Sequence, residues 1–438
     1  MYSVLRLPEN ESYFDESFRD YIDKYITLWR NAHIEAPLPH KLYTDSDQHD
    51  FEYETGRMIN FIDKDFRKYP AKERQQSAWR ERMIKSLRKF AITSFQFPEK
   101  HCDIIFSREY LASTIEFIHQ GREFDQHMQP EELAQALRNV WVMNCLQLFM
   151  GRRPSLTPSI FAYSMLYPYT DNHLDNPDLS IETKELACRR LGLRLSGQPL
   201  DPCNPHEAAV FHLISMIEGD FPRALFPEVY SSLLAIHSGQ VQSLKQQHQT
   251  DLLDEQQLLR ISVTKGGSSV LVDGWLVDGT LCREQADFFF GYGVLLQLLD
   301  DLQDMARDRA AGHQTMFTRA ETTGQLEGLT NRLWAFIHHV LNRTDCFSNP
   351  QALELRDLIR HNSTMLMLRA IAECAESFSD EYLRHMERFS PLRFAYLRYC
   401  GKDIKSRFEK IWPGLARRRK LKSVFDLLGV TGQISLSN

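Results

Sequence analysis

This sequence lacks the signatures of several common protein classes. None of its eight cysteines forms a CxxC pair, so neither a zinc knuckle nor a disulfide scaffold is indicated, and a reducing compartment is expected. It has no P-loop, G-x-S-x-G or G-x-G-x-x-G motif. It has no apolar run long enough to span a membrane, and its charged first residues lack the apolar core of a signal peptide. We therefore expect a cytoplasmic protein.

A strong charge of either sign is also missing. The chain has 52 basic and 58 acidic residues, for a net charge of −6, which does not favour binding to nucleic acid. Hydrophobic residues make up 43% and aromatic residues 11% of the 438 residues. This composition is sufficient for a large buried core in one to three domains.

Signals for β-hairpins are scarce, and apolar residues recur mostly at helical spacing, so we predict an all-α fold. One segment, 268–277, is rich enough in β-branched residues to be ambiguous. The predicted helices are 74–92, 131–150, 206–218, 228–248, 282–308, 325–343, 350–376 and 379–389.

Composition divides the chain into three segments. Residues 1–95 are predicted to form an N-terminal helical extension, residues 96–400 the main bundle, and residues 401–438 a basic tail with nine basic and three acidic residues. The tail, with RRRKLK at 417–422, is interpreted either as a solvated helix or as a contact with an anionic membrane surface or partner.

The most informative segment is GVLLQLLDDLQDMARD, at 293–308. On a helix with about 100° per residue, its four acids and Gln297 share a wedge about 100° wide; the acids are Asp300, Asp301, Asp304 and Asp308. Carboxylates at this spacing repel one another, and a hard cation that also binds phosphate oxygens resolves the repulsion. The alternative is an exposed acidic helix end, which the apolar segment before the acids fits poorly.

A second acidic pair occurs in YSMLYPYTDNHLDNP, at 163–177. Asp171 and Asp175 lie one helical turn apart, and Pro177 is predicted to end their helix. The helix dipole disfavours acids at a C-terminus, so this position indicates a bound cation. The alternative is a simple loop rich in Asp and Asn before proline.

Together these segments resemble the class I terpenoid-synthase superfamily, which includes trans-isoprenyl diphosphate synthases, squalene/phytoene synthases and terpene cyclases. The resemblance covers roughly residues 130–400. Asp171 and Asp175 resemble the D-x-x-x-D of squalene and phytoene synthases. The prenyl synthase pattern G-x-x-F-Q-x-x-D-D-x-x-D is matched, with Leu in place of Phe, by Gly293, Leu296, Gln297, Asp300, Asp301 and Asp304.

The resemblance implies a helical bundle with a central active-site cavity. In it, three Mg²⁺ ions (or Mn²⁺) would hold the diphosphate of an allylic prenyl diphosphate while its C–O bond ionises. The implied metal ligands are Asp171, Asp175, Asp300, Asp301, Asp304 and Asp308, with Asp171, Asp300 and Asp304 as the catalytic acids.

Cationic residues are expected to bind the diphosphate. Lys265, in TKGGSSV, resembles the family's lysine in K-T-x-x-L; alternatively it is an ordinary surface lysine before a glycine turn. Arg398 and Tyr399 resemble the cyclases' C-terminal Arg-Tyr pair, for which Arg388 and Arg393 compete, and Arg260 is a candidate diphosphate sensor.

The choice of reaction depends on weaker signals. GRRPSL, at 151–156, resembles the basic motif that binds a second, non-allylic diphosphate, but it lies too close to Asp171. We therefore predict a terpene synthase or cyclase, with the bacterial large-terpene synthases as a plausible group. The alternatives are a squalene/phytoene-type or head-to-tail prenyl transferase and a non-catalytic homologue that binds an isoprenoid or a protein. A homodimer is compatible with the sequence.

A carbocation requires a dry, aromatic-lined pocket. The predicted lining residues, for each of which plain core packing is the alternative, are Ile160, Ser164, Tyr167, Phe289, Gly293, Leu296 and Gln297. Gly293 is expected to deepen the pocket because it has no side chain.

Overall fold

A computed structural model describes residues 16–35, 41–176, 178–247, 252–419 and 427 of the chain. No strand occurs in these residues, which confirms the all-α prediction. The α-helices are α1 (Glu16–Asn31), α2 (Asp45–Arg67), α3 (Glu73–Phe95), α4 (Glu99–Ile105), α5 (Arg108–Phe124), α6 (Pro130–Phe149), α7 (Pro158–Asp175), α8 (Ile181–Leu195), α9 (Pro205–Asp220), α10 (Pro227–Ser243), α11 (Glu255–Asp278), α12 (Arg283–Gln303), α13 (Met305–Ala311), α14 (Met316–Thr323), α15 (Leu326–Leu341), α16 (Ala352–Glu373), α17 (Asp380–Glu387) and α18 (Phe394–Arg419).

The predicted helices occur within a few residues of their expected ends, with one informative exception. The segment 282–308 is not one helix, because α12 ends at Gln303 and α13 begins at Met305. The ambiguous segment 268–277 lies inside α11, whose start is fixed by a capping box between Asp254 and Gln257. The predicted stop at Pro177 lies outside the described residues.

The helices group into two compact units that differ from the three predicted segments. Among the described residues, the first unit contains those of 16–35, 138–152 and 156–353, and the second contains those of 41–137, 153–155, 354–419 and 427. The N-terminal segment is divided between them because α1 packs against α11, α12 and α15, all in the first unit.

In the first unit, α11 packs against α7, α10 and α12, so it is the central helix of this unit. The aromatic run of α12 is fully buried, and its Phe290 stacks on Tyr21 of α1, with ring centroids 5.4 Å apart. Burial of such side chains is the main source of stability for this helix pair.

In the second unit, α2 packs against α3 and α18. A core cluster between these helices contains Trp79, Ile411 and Leu415, and the indole of Trp79 donates to the carbonyl of Asp65. This cluster anchors α18, which ends in three arginines at Arg417–Arg419. Except for residue 427, the basic tail beyond residue 419 lies outside the described residues. Within the described residues, no helix combines the length and the apolar character that crossing a membrane requires.

Candidate diphosphate site

The first acidic pair lies at the end of α7, as expected. Two glutamines hold it: Gln240 Nε2 donates to Asp171 Oδ1 at 2.7 Å, and Gln247 Nε2 donates to Asp175 Oδ1 at 2.7 Å. Asp171 is buried and Asp175 is exposed. The other oxygen of Asp171 faces Lys265. We call Asp171 and Asp175 the α7 pair.

The second acidic set follows α12 into α13. Asp304 lies between the two helices, and its backbone N–H donates to the carbonyl of Asp300 at 2.8 Å. The N–H of Asp308 in turn donates to the carbonyl of Asp304 at 2.9 Å, so the spacing of one turn persists across the break. We call Asp300, Asp304 and Asp308 the α12–α13 series.

The acids of this series oppose each other's ionisation. Burial, and then the charge of Asp300, raise the pKa of Asp304 to about 6. Burial also raises the pKa of Asp300, and the charges of Arg138 and Lys265 oppose that rise. Arg307 forms an ion pair with Asp304 and neutralises only part of this charge. A divalent cation would relieve the remaining repulsion.

Asp301, expected to be a metal ligand, is held differently from its neighbours. Its Oδ2 accepts a hydrogen bond from Ser262 Oγ at 2.8 Å, and its Oδ1 accepts one from Gln297 Nε2 at 2.8 Å. Burial raises the pKa of Asp301 to about 7. Both carboxylate oxygens of Asp301 therefore accept hydrogen bonds from neutral donors. Through the hydrogen bond from Ser262, Asp301 connects α12 to α11.

Glycines bring α11 and α12 into close contact. A Cβ atom on Gly293 would lie 2.0 Å from the carbonyl oxygen of Gly266, and one on Gly266 would lie 2.5 Å from Cβ of Gln297. The expectation that Gly293 deepens a pocket is therefore wrong, because its missing side chain makes room for the backbone of α11. This crossing positions Ser262 and Lys265 of α11 beside the acids of α12.

Lys265 pairs with the first acidic set and acts electrostatically on the second. Its Nζ is 3.4 Å from Asp171 Oδ2, and 22% of its side chain is exposed. Burial alone would lower the pKa of Lys265, but Asp171, Tyr167 and Asp175 raise it overall. Because the same charge also acts on Asp300, the ammonium group is within electrostatic reach of both sets.

Two residues that the sequence analysis missed also belong to this site. His313 Nδ1 lies 3.8 Å from Asp308 Oδ1; this carboxylate raises the pKa of His313, and Asp175 contributes. Arg138, an exposed residue of α6, opposes the pKa rise of both Asp300 and Asp304. His313 could have been suspected because it directly follows Gly312, the left-handed residue that ends α13. Arg138 is part of no motif.

Most of the acids, together with Lys265, are buried or partly buried. Asp300 and Lys265 are only partly exposed, and so are Tyr167, Leu296 and Gln297 nearby. Burial raises the pKa of Tyr167, and Asp171 and Asp300 raise it further, so this phenol lies close to one acid of each set.

Within the described residues, no three Asp, Glu, His or Cys side chains are close enough to hold a metal ion by themselves.

The donor set nevertheless fits Mg²⁺. It consists of carboxylate oxygens, and Mg²⁺ usually takes only one or two carboxylates, with water and substrate phosphates as its remaining ligands. Each acidic set offers such carboxylates, and Lys265 pairs with Asp171 and acts electrostatically on Asp300.

Three residues expected to bind diphosphate have other partners. Arg260 Nη1 lies 3.2 Å from Asp23 Oδ1 of α1. Arg398 and Tyr399 belong to the second unit, where Arg398 Nη1 donates to the carbonyl of Ala372 at 2.8 Å and Tyr399 is 59% exposed. These contacts favour structural roles over diphosphate binding.

The remaining predicted pocket residues are core residues. Ile160, Ser164 and Phe289 are at most 1% exposed. Phe289 packs on Phe347, with ring centroids 5.5 Å apart, and occupies the space left by Gly274, where a Cβ atom would lie 2.4 Å from the ring. For these residues the structure agrees with the alternative of core packing.

Comparison with known proteins yields only distant structural likenesses. No family model matches the sequence, and no curated protein matches it. A geranyltransferase from Legionella pneumophila is similar over 62% of this chain and 99% of its own, with 13% identity and a TM-score of 0.39. A geranylgeranyl pyrophosphate synthase is similar over 70% of this chain and 99% of its own, with 17% identity and a TM-score of 0.30. Likeness at this level carries no functional argument.

Proposed function

We propose that this protein is a Mg²⁺-dependent terpene synthase or cyclase of the class I type that ionises an allylic prenyl diphosphate. The observation that carries the proposal is the placement of Lys265, beside Asp171 and within electrostatic reach of Asp300. Two acidic sets that share one lysine are an arrangement for a polyanionic ligand bound with cations.

Each residue of the site has a distinct task in this proposal. The α7 pair and the α12–α13 series would hold Mg²⁺, which supplies Lewis-acid stabilisation of the leaving diphosphate. Lys265 and Arg138 would donate to the diphosphate oxygens and orient them. Gln240 and Gln247 fix the carboxylates of the α7 pair, and Ser262 with Gln297 fixes Asp301.

The partly exposed side chains below the acids suit the hydrocarbon part of such a substrate. Tyr167 lies one turn before Asp171 on α7, and Leu296 lies one turn before Asp300 on α12. An aromatic face close to the leaving group stabilises positive charge on carbon, and an apolar wall excludes the water that would quench it.

One contact favours cyclisation over chain elongation. Arg152, in the segment that resembles a second diphosphate site, forms an ion pair with Asp278 at the end of α11. Arg152 would have to exchange this carboxylate for the phosphate oxygens of isopentenyl diphosphate, which makes the segment a weaker second diphosphate site than one with an unpaired arginine. We therefore place head-to-tail and squalene/phytoene-type prenyl transfer second, and a non-catalytic isoprenoid-binding role third.

The test is incubation of the purified full chain with Mg²⁺ and, separately, geranyl, farnesyl, geranylgeranyl and geranylfarnesyl diphosphates. The proposal predicts a hydrocarbon or alcohol product and inorganic diphosphate from at least one of them, without isopentenyl diphosphate. Longer prenyl diphosphates formed only with isopentenyl diphosphate would indicate elongation. Binding without release of diphosphate from any of these substrates would refute the enzymatic proposal.

A further inference from the structure

A second space lies in the first unit, on the side of α7 that faces α8 and α9. It encloses about 720 Å³, part of it open to solvent. Cys188 and Val210 are buried at its floor, while Leu186, which is 52% exposed, and Cys203 lie at its mouth. None of the residues assigned above to metal or diphosphate lines it.

One wall of this cavity contains a stack of three aromatic rings. The rings of Tyr169 and His206 stack with centroids 5.6 Å apart and an angle of 23° between their planes. The rings of His206 and His173 stack at 4.4 Å and 16°. The three stacked rings all line the cavity, and their edges suit edge-to-face contact with a planar unsaturated or aromatic group.

The lining offers no unpaired charge. Its one ion pair is between Arg190 and Glu207, and the guanidinium group of Arg190 donates two hydrogen bonds of 2.6 and 2.8 Å to the carboxylate. The backbone N–H of Cys203 also donates to Glu207. Burial lowers the pKa of His206, and it lowers the pKa of His237 to about 4, so both imidazoles are neutral at neutral pH. A charged ligand would lose its hydration here without gaining a counter-charge.

The cavity is connected to the diphosphate site through one side chain. Gln240 Nε2 donates to Asp171 Oδ1 at 2.7 Å and lies 3.4 Å from Oγ1 of Thr170, which lines the cavity. The side chain of Gln240 therefore contacts both the cavity wall and the carboxylate of Asp171.

From this geometry we infer a second binding site, which takes an uncharged, largely apolar small molecule with a planar unsaturated or aromatic part. The inference does not depend on the proposed function, because it rests only on the shape, the stacked rings and the closed ion pair of this cavity.

Two dyes of matched shape test the chemistry of this site. N-phenyl-naphthylamine is uncharged, and anilinonaphthalene sulfonate has nearly the same skeleton with one negative charge. We expect the uncharged dye to bind one site per chain, at least about tenfold more tightly than the sulfonate, as a difference of about 1.4 kcal/mol implies. Equal or tighter binding of the sulfonate would overturn the inference.

Two variants locate the bound dye. The indole ring of Ala187→Trp should occupy the cavity and remove most of the dye binding. Leu225 is 72% exposed and lies outside the cavity, so Leu225→Trp should leave dye binding unchanged. Unchanged binding in Ala187→Trp would place the dye elsewhere and refute the site.

The wild-type chain supplies a second measurement in case Ala187→Trp does not fold. Cys203 at the cavity mouth and Cys282 at the start of α12 are both exposed free thiols. We expect the uncharged dye to slow maleimide labelling of Cys203 several-fold while Cys282 is labelled at its usual rate. Equal labelling of Cys203 with and without dye would contradict the inference.

Discussion

The ammonium group of Lys265 lies 3.4 Å from Oδ2 of Asp171, while its charge opposes the pKa rise of Asp300 on another helix. This relationship connects two acidic segments that are separated by more than a hundred residues in the sequence. It depends on α11, which packs against both α7 and α12 and carries Lys265 at the level of the acids.

The first prediction concerns this lysine. Replacing Lys265 with Met should lower kcat/KM for the allylic diphosphate by about a hundredfold or more, because a preorganised cationic donor to the leaving group is lost. Arg260→Met is the matched control, since Arg260 lies on the same helix and pairs with Asp23. Steady-state kinetics and circular dichroism of both variants would test this.

Equal losses in the two variants would contradict the assignment of Lys265, because they would show that any cation removed from α11 has the same effect. Lys265→Arg should recover part of the activity, since it restores the charge but not the position of the donor.

The second prediction separates the two adjacent aspartates of α12. Asp300→Asn should abolish turnover, because Asp300 belongs to the proposed metal-binding series and interacts electrostatically with Lys265. Asp301→Asn should retain measurable turnover. It should instead lower the free energy of unfolding by about 1–3 kcal/mol, because an amide has only one acceptor oxygen for the two donors on Ser262 and Gln297. Diphosphate release and urea unfolding would distinguish the two effects, and identical profiles would argue against separate roles.

These two residues also show what the sequence could and could not predict. The helical pattern and the acid spacing predicted both acidic segments, and the TKGG segment predicted Lys265. The helical wheel placed Asp301 with the other acids because it treats α12 as isolated. The packing of α11 decides otherwise, since Ser262 lies against that side of α12.

Other parts of the site depend on tertiary contacts that have no local signature. Arg138 of α6 acts electrostatically on Asp300, and His313 pairs with Asp308 from the turn after α13. The sequence suggested Gly293 as a pocket residue, but its missing side chain makes room for Gly266, which is 27 positions earlier in the sequence. Arg398 and Tyr399 match a family pattern, yet they have contacts in the second unit.

The third prediction is a pH dependence of metal binding. The pKa of Asp304 is raised from 3.8 to about 6, so the folded protein holds this proton more tightly than the unfolded chain. The protonated carboxyl group of Asp304 therefore stabilises the fold fully at a pH below 3.8, the pKa in the unfolded chain. This stabilisation is lost as the pH rises through about 6, the pKa in the folded protein.

Mg²⁺ with diphosphate binds the ionised carboxylates, so its stabilising effect should have the opposite trend. The increase in Tm caused by Mg²⁺ and diphosphate should be small near about pH 5 and larger near about pH 8. Asp304→Asn should flatten this dependence. A Tm increase that is the same at both pH values in the wild type would contradict the coupling.

The fourth prediction concerns the glycine crossing. Gly293→Ala should destabilise the protein by about 1–3 kcal/mol or more, because its Cβ atom would meet the carbonyl oxygen of Gly266 at 2.0 Å. Gly328→Ala is the control: it lies in α15 with no atom within 4 Å of a Cβ and should be neutral or stabilising by up to about 1 kcal/mol. Thermal unfolding would compare them, and a Gly293→Ala variant as stable as wild type would refute the close crossing.

The central claim is that the acids of α7 and those of α12 and α13 bind one diphosphate jointly through Mg²⁺. The most direct measurement is calorimetric titration of a non-ionisable allylic thiolodiphosphate, with and without Mg²⁺, into wild type, Asp171→Asn, Asp304→Asn and the double variant. We predict Mg²⁺-dependent binding that either single substitution weakens at least about tenfold, with a double variant little worse than the singles because the acids act as one unit. Binding of equal affinity without Mg²⁺, or loss in one variant only, would contradict the account.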